Sequence, residues 1–173
     1  MKPIISKNIR LRHKEYFEIG ENSVIDDFCY FSTKIKIGKN CHIANGCSIG
    51  GGQSYEFTMG DFSSISAGVK IWCQSNDFTN DLVILNINHE MIGDNPIKGN
   101  VTMGRMSGIG SNSVVMPNNN IPEGTVIGAL SFVPPNFEFE QWSIYAGIPI
   151  KFIKKRNKKN ILMQFEKLTQ KGS

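Results

Sequence analysis

The chain has 173 residues, of which 40% are hydrophobic and 20% charged, and a formal net charge of +4, so it has room for one domain core and little more. No run of about 18 apolar residues is present, which argues against a membrane-spanning helix, and the opening MKPIISKNIRLRHKEYF lacks the continuous apolar stretch of a signal peptide. Basic residues do not alternate with stacking aromatics, so nucleic acid is not an expected partner, and a cytoplasmic protein is the simplest expectation.

In chain order, residues 1–18 read as a lead-in that holds the basic run Arg10 to Lys14, including His13. From Ile19 the chain divides into IGENSV, IDDFCY, FSTKIK, IGKNCH, IANGCS and IGGGQS. Four residues, Tyr55 to Thr58, then stand outside the frame. It resumes as MGDFSS, ISAGVK and IWCQSN, breaks at 77–102, and returns as MGRMSG, IGSNSV, VMPNNN, IPEGTV and IGALSF, fourteen hexads in all. Every first position is Ile, Val, Phe or Met. An amphipathic helix needs a period near 3.6 and a strand a period of two, so a period of six fits neither.

Fifth positions are mostly small or slim, among them Ser23, Cys29, Cys41, Cys47, Ser63, Ser107, Ser113 and Ser131, which lets successive turns of chain stack closely. Three of the four cysteines fall there and read as reduced, buried, small hydrophobes. Fourth positions are rich in Asn and Gly, the residues that tolerate positive φ at least cost, so each hexad carries its own corner. Strand, corner and strand at a fixed period describe a parallel β-helix in which each coil contacts only its neighbours.

The hexads resemble the [LIV]-[GAED]-x-x-[STAV]-x repeat of hexapeptide-repeat acetyltransferases over residues 19–133. That resemblance implies an all-β, left-handed parallel β-helix, although parallel crossovers are ordinarily right-handed. With three hexads per coil, as in the family, the expectation is roughly five coils about 4.8 Å apart. A loop at 77–102 would protrude from it, and residues 134–173 would form a strap and a short helix with Ile161, Leu162, Phe165 and Leu168 on its packing face.

The resemblance also implies chemistry. In the sugar acetyltransferases of this family, a histidine in or beside such a loop is the general base, and His89 is the matching residue. An alcohol is a poor nucleophile at neutral pH, and an imidazole can accept its proton as the oxygen attacks a thioester. Asn88 and Glu90 flank it as candidates for orienting the substrate. Asn76 and Asp77 lie in Ser75-Asn76-Asp77-Phe78, similar to an S-D-D-F segment of some surface-polysaccharide enzymes, and offer a carboxylate to sugar hydroxyls or to a substrate amine.

Gly110, Gly128 and Ala129 are the family-implied backbone contacts for acetyl-CoA, with donors near Gly128 and Ala129 for the oxyanion. The segment Tyr145-Ala146-Gly147-Ile148-Pro149-Ile150-Lys151 looks like the family's closing G-x-P-A-K element, and Lys151, Lys154 and Arg156 are the candidates for nucleotide phosphates.

The expected enzyme is an acetyl-CoA-dependent sugar acetyltransferase of surface-polysaccharide (lipopolysaccharide, O-antigen or capsule) biosynthesis, built as a homotrimer. A sugar hydroxyl is favoured narrowly over the amino group of a nucleotide-linked sugar, and antibiotic acetylation stays open. No metal is expected: γ-type carbonic anhydrases share the scaffold but need three zinc-binding histidines, and only His13, His42 and His89 are present. A non-catalytic β-helix scaffold is the alternative of another class.

Overall fold

The computed structural model describes residues 1–77, 79 and 97–170. The hexads wind into a triangular left-handed parallel solenoid. Face I stacks Ile4–Ile5, Val24–Ile25, His42–Ile43, Ser64–Ile65, Gly108–Ile109, Val126–Ile127 and Ser143–Ala146 in parallel, and Lys151–Lys155 closes it in antiparallel sense. Face II stacks Arg10–Leu11, the beginnings of Tyr30–Ile37 and Ser48–Met59, then Lys70–Trp72, Val114–Val115 and Phe132–Val133. Face III stacks Phe17–Ile19, the ends of the same two long strands, Val101–Met103 and Asn119–Ile121.

The solenoid has about six coils, not five. The additional one is the segment read as a lead-in: Ile4 pairs with Val24, Arg10 with Tyr30 and Phe17 with Ile35, so residues 4–19 form coil 1. Its first positions escaped the hexad frame because Lys14–Tyr16 spend a 3₁₀ turn at one corner.

First positions point inward. Ile37, Ile43, Ile65, Ile109 and Ile127 are all in the buried core, whereas Ile19, in the first coil, is half-buried against it. Each such side chain, taken from water, contributes about 1.5–3 kcal/mol.

The corners obey the fourth-position rule with less regard for residue type than the composition implies. Asn22, Asn40, Asn112 and Asn118 have φ between 54° and 59°, but so do Phe62, Met106, Leu130 and Trp142. In a bulky residue that conformation costs roughly 1–2 kcal/mol, which the ladders on either side must supply.

Fifth-position serines do more than leave room. Ser113 Oγ donates to Gly128 O (2.9 Å) and accepts from Ser131 N–H (3.2 Å), and Ser63 does the same with Gly104 O and Ser107 N–H. Ser23 repeats this between Gly38 O and Cys41 N–H. Each hydroxyl is a spacer that satisfies corner backbone groups of its neighbours, groups the strands do not reach. Ser113→Ala is therefore expected to cost about 1–3 kcal/mol through the stranded Ser131 amide, a loss readable as a lowered denaturation midpoint at unchanged slope.

All four cysteines are buried free thiols. Burial pushes the Cys73 thiol up to about 11, so it stays protonated and inert at neutral pH.

The C-terminal helix, Lys158–Gln170, lies along the edge between faces III and I, where Phe165 meets Phe62 edge to face at 5.0 Å. Ile161, Leu162 and Phe165 are half-buried as expected of a packing face, while Leu168 is 60% exposed.

Candidate active site

Irregularity concentrates on one edge of the prism, that between faces II and III. In coil 1 this edge carries the 3₁₀ turn. In coil 3 it carries the inserted residues, which are Gly51 and Gln53 to Tyr55 rather than the expected Tyr55 to Thr58: the register with coil 2 slips between Ser32 and Lys34, and Phe57 to Met59 are already back in the ladder. An insertion at a corner leaves both flanking ladders intact, whereas one at 55–58 would break face III.

In coil 4 the same edge carries the long excursion. Its bounds are wider at the start and narrower at the end than the expected 77–102. Gln74–Ser75 pairs antiparallel with Ile97–Lys98 as a two-stranded stub, and Val101, fully buried, has rejoined face III.

Asn76 and Asp77 follow directly on the stub. Asn76 is exposed; Asp77 is half-buried, and its Oδ1 accepts from Thr79 N–H at 2.9 Å, a turn that fixes the carboxylate at the foot of the excursion. Asn88, His89 and Glu90 lie outside the described residues.

Beside this foot, along the same edge, a cleft of about 540 Å³ is lined by Arg12, His13, Ser32, Gly52, Gln53 and Gln74 among others. Sequence reasoning missed it, because its members lie in three different hexads and in the lead-in. The signal available was that both frame breaks fall at equivalent corners of the eighteen-residue coil.

The family-implied coenzyme residues lie elsewhere. Gly110, Gly128 and Ala129 sit on the edge between faces I and II, so the structure does not bring them together with Asn76 and Asp77 within one chain. Two of the three have no backbone donor to offer. Gly128 N–H is spent on Tyr145 O (2.7 Å) and Gly110 N–H on Ile127 O (2.8 Å). Both are glycine for stacking: a Cβ on Gly110 would lie 2.4 Å from Ala129 N, and one on Gly128 would lie 2.9 Å from Ala146 Cβ. Among the described residues, Ala129 N–H has no hydrogen-bond partner, so of these three it is the one whose amide a ligand can use.

Lys151 and Lys154 are exposed on the closing strand of face I. Arg156 does not offer the free cation expected of it. Its guanidinium donates to Met106 O and to Gly124 O (3.0 Å), and burial lowers its pKa. It ties the C-terminal strap to the corners of coils 5 and 6.

Among the described residues no three His, Cys, Asp or Glu side chains gather in a group that could hold a metal ion. His42, on face I, pairs with Asp26 at 2.9 Å, far from His13 on the edge opposite.

A triangular left-handed solenoid with one loop-bearing edge and a closing strap is the architecture of β-helix acyltransferases, and the comparisons with known proteins agree. The family described as "Bacterial transferase hexapeptide (six repeats)" matches residues 18–51. The dTDP-4-amino-4,6-dideoxy-D-glucose acyltransferase of Escherichia coli is 34% identical over 164 residues, 90% of this chain and 83% of that one. AntD, an N-acyltransferase from Bacillus cereus solved with dTDP and 3-hydroxybutyryl-CoA, superposes with a TM-score of 0.87 at 33% identity over 99% of this chain and 89% of its own. A mutant of AntD in complex with dTDP-4-amino-4,6-dideoxyglucose and coenzyme A gives a TM-score of 0.88 at 31% identity over 98% and 88%. The chain belongs to the hexapeptide-repeat acyltransferases and is an acyltransferase of that family.

Proposed function

We propose that the protein transfers an acyl group, acetyl in the simplest case, from acyl-CoA to the amino group of a nucleotide-linked amino sugar. The observation that carries this reading is the likeness, over nearly the whole chain, to two enzymes named for acylating such amines. The acceptor is thus an amine, in place of the hydroxyl favoured on sequence alone.

The geometry supports a division of labour. Asp77, held at the foot of the excursion, pairs with the substrate ammonium and aims it, with Asn76 beside it. His89 takes the proton that the nitrogen must lose, and Asn88 and Glu90 orient the sugar. The amine so freed attacks the thioester carbonyl, Ala129 N–H stabilises the oxyanion, and collapse expels the coenzyme A thiolate, which takes up the second proton that the nitrogen sheds and leaves as the thiol. Lys151 and Lys154 meet the coenzyme phosphates. The acceptor group and the donor group sit on different edges of the prism, so a complete site needs one edge from each of two copies, which a closed homotrimer provides. Cytoplasmic surface-polysaccharide biosynthesis is the setting such a substrate fits. Among the described residues no helix is long and apolar enough to cross a membrane.

The test is to incubate the protein with acetyl-CoA and either dTDP-4-amino-4,6-dideoxyglucose or neutral sugars, following thiol release and product mass. Thiol release only with the amino sugar, giving an amide, is expected; hydroxylamine-labile esters of neutral sugars as the only products would overturn the reading. Sedimentation should give a trimer at micromolar concentration, and a stable monomer would refute the shared site.

A further inference from the structure

We infer that the cleft on the edge between faces II and III binds the diphosphate of the nucleotide-linked acceptor, with Arg12 as its fixed positive charge and His13 and Gln53 as further polar contacts. The inference rests on the amino-sugar reading above and assigns part of that substrate to residues the reading leaves unused.

The cleft has the composition of an anion site. Arg12 is exposed, and its guanidinium has no side-chain partner among the described residues, unlike Arg156. His13 is held rather than loose: its side chain is 13% exposed, and its Nδ1 lies 3.2 Å from Gln53 Nε2. With Nδ1 engaged by Gln53, Nε2 is the ring nitrogen left to meet a ligand. One carboxylate, Glu15, comes within 4.0 Å of His13 Nδ1, but it does not line the cleft.

The wall opposite is the glycine-rich turn of coil 3. A Cβ on Gly51 would lie 2.6 Å from Cys73 Cβ, so this backbone presses on coil 4. Gly52 has φ +71°, and a Cβ there would meet nothing within 4 Å: open space lies over it. Consecutive backbone amides around such a left-handed residue form a concavity that suits phosphate oxygens.

Position favours the acceptor's diphosphate over the coenzyme's. Arg12 belongs to coil 1 and Gln74 to coil 4, so three coil steps, about 14 Å, run from the arginine to the strand that leads into Asn76 and Asp77. A diphosphate at the arginine and a sugar amine at Asp77 fit the two ends of that span. The cations expected to meet coenzyme A, Lys151 and Lys154, stand on face I beyond the last coil, opposite this edge and at the other end of the stack. Two substrates that each carry a diphosphate thus meet two separate cationic sets.

Isothermal titration of dTDP and, separately, of coenzyme A into the intact wild-type protein, Arg12→Ala and Arg12→Lys tests this. Arg12→Ala is expected to weaken dTDP about ten- to hundredfold, as loss of a charge-assisted bond should, while coenzyme A affinity and thermal midpoint stay at wild-type values. Arg12→Lys should recover only part, because an ammonium cannot make the paired contact of a guanidinium. Wild-type dTDP affinity in Arg12→Ala would overturn the assignment and leave the amino-sugar reading intact. Loss of coenzyme A affinity in its place would overturn it by giving the cleft to the donor. A wild-type protein that neither binds dTDP nor acylates the dTDP-linked amino sugar would sink both.

Discussion

In a His89→Ala protein, kcat at pH 7 is expected to fall by about 10²–10⁴, the usual contribution of a positioned base, and about tenfold of that deficit is expected to be recovered by pH 9. The recovery is what separates the two acceptor chemistries. A sugar amine, flanked by electron-withdrawing carbon–oxygen bonds, titrates near the α-amino range, about 8, so its free fraction rises about tenfold between pH 7 and 9. A hydroxyl has no such escape and would keep the full deficit at both pH values. A kcat profile from pH 6 to 9.5 for wild type and variant reads this directly; a pH-independent deficit would return the acceptor to a hydroxyl. Asp77→Asn should behave otherwise, raising KM for the amino sugar across the range, because its carboxylate binds the ammonium rather than carrying its proton away.

The second large effect concerns stability. Phe57 is fully buried on face III, paired with Ile35 of coil 2 and Val101 of coil 4. Phe57→Ala is expected to cost about 3–5 kcal/mol, a large part of what a domain of this size possesses. In a solenoid the damage is also local, since stability is a chain of neighbour interfaces. The interface between coils 2 and 4 runs through coil 3, so coils 1 and 2 should open before the rest. Urea titration followed by hydrogen exchange would show early loss of protection at Ile25 and Phe31, with Ile109 and Ile127 protected to higher denaturant. Uniform loss at all four would show that the six coils unfold as one unit.

Most of the fold was legible because a period of six is printed in the first positions, and burial of one residue in six is a requirement that no other arrangement meets. What escaped has physical reasons. Coil 1 was invisible because its inward residues Ile5 and Leu11 are cut off from the frame that starts at Ile19 by a 3₁₀ turn, which lengthens the corner between them. The insertion in coil 3 was misplaced because Phe57 and Met59 resume a ladder without a hexad boundary to announce it. The candidate site was legible only as residue types near a frame break. Asp77 was visible because a carboxylate follows a broken hexad, but the availability of a particular amide was not, since Gly128 and Ala129 look alike in sequence and differ only in which one the next coil consumes. Arg156 likewise reads as a phosphate ligand until two carbonyls are found waiting for it.

The chain returns to the same stacking register after gaining a few residues at one corner and about two dozen at the equivalent corner one coil later. Closing a longer loop costs only about 0.6 kcal/mol per doubling of its length, so length there is nearly free. Length and folding are therefore separately editable: a segment grafted between Trp72 and Val101 from another solenoid is expected to leave the recipient's own ladder in register. Diversification of such enzymes needs no renegotiation of the core, only new text in a margin that the period already leaves blank.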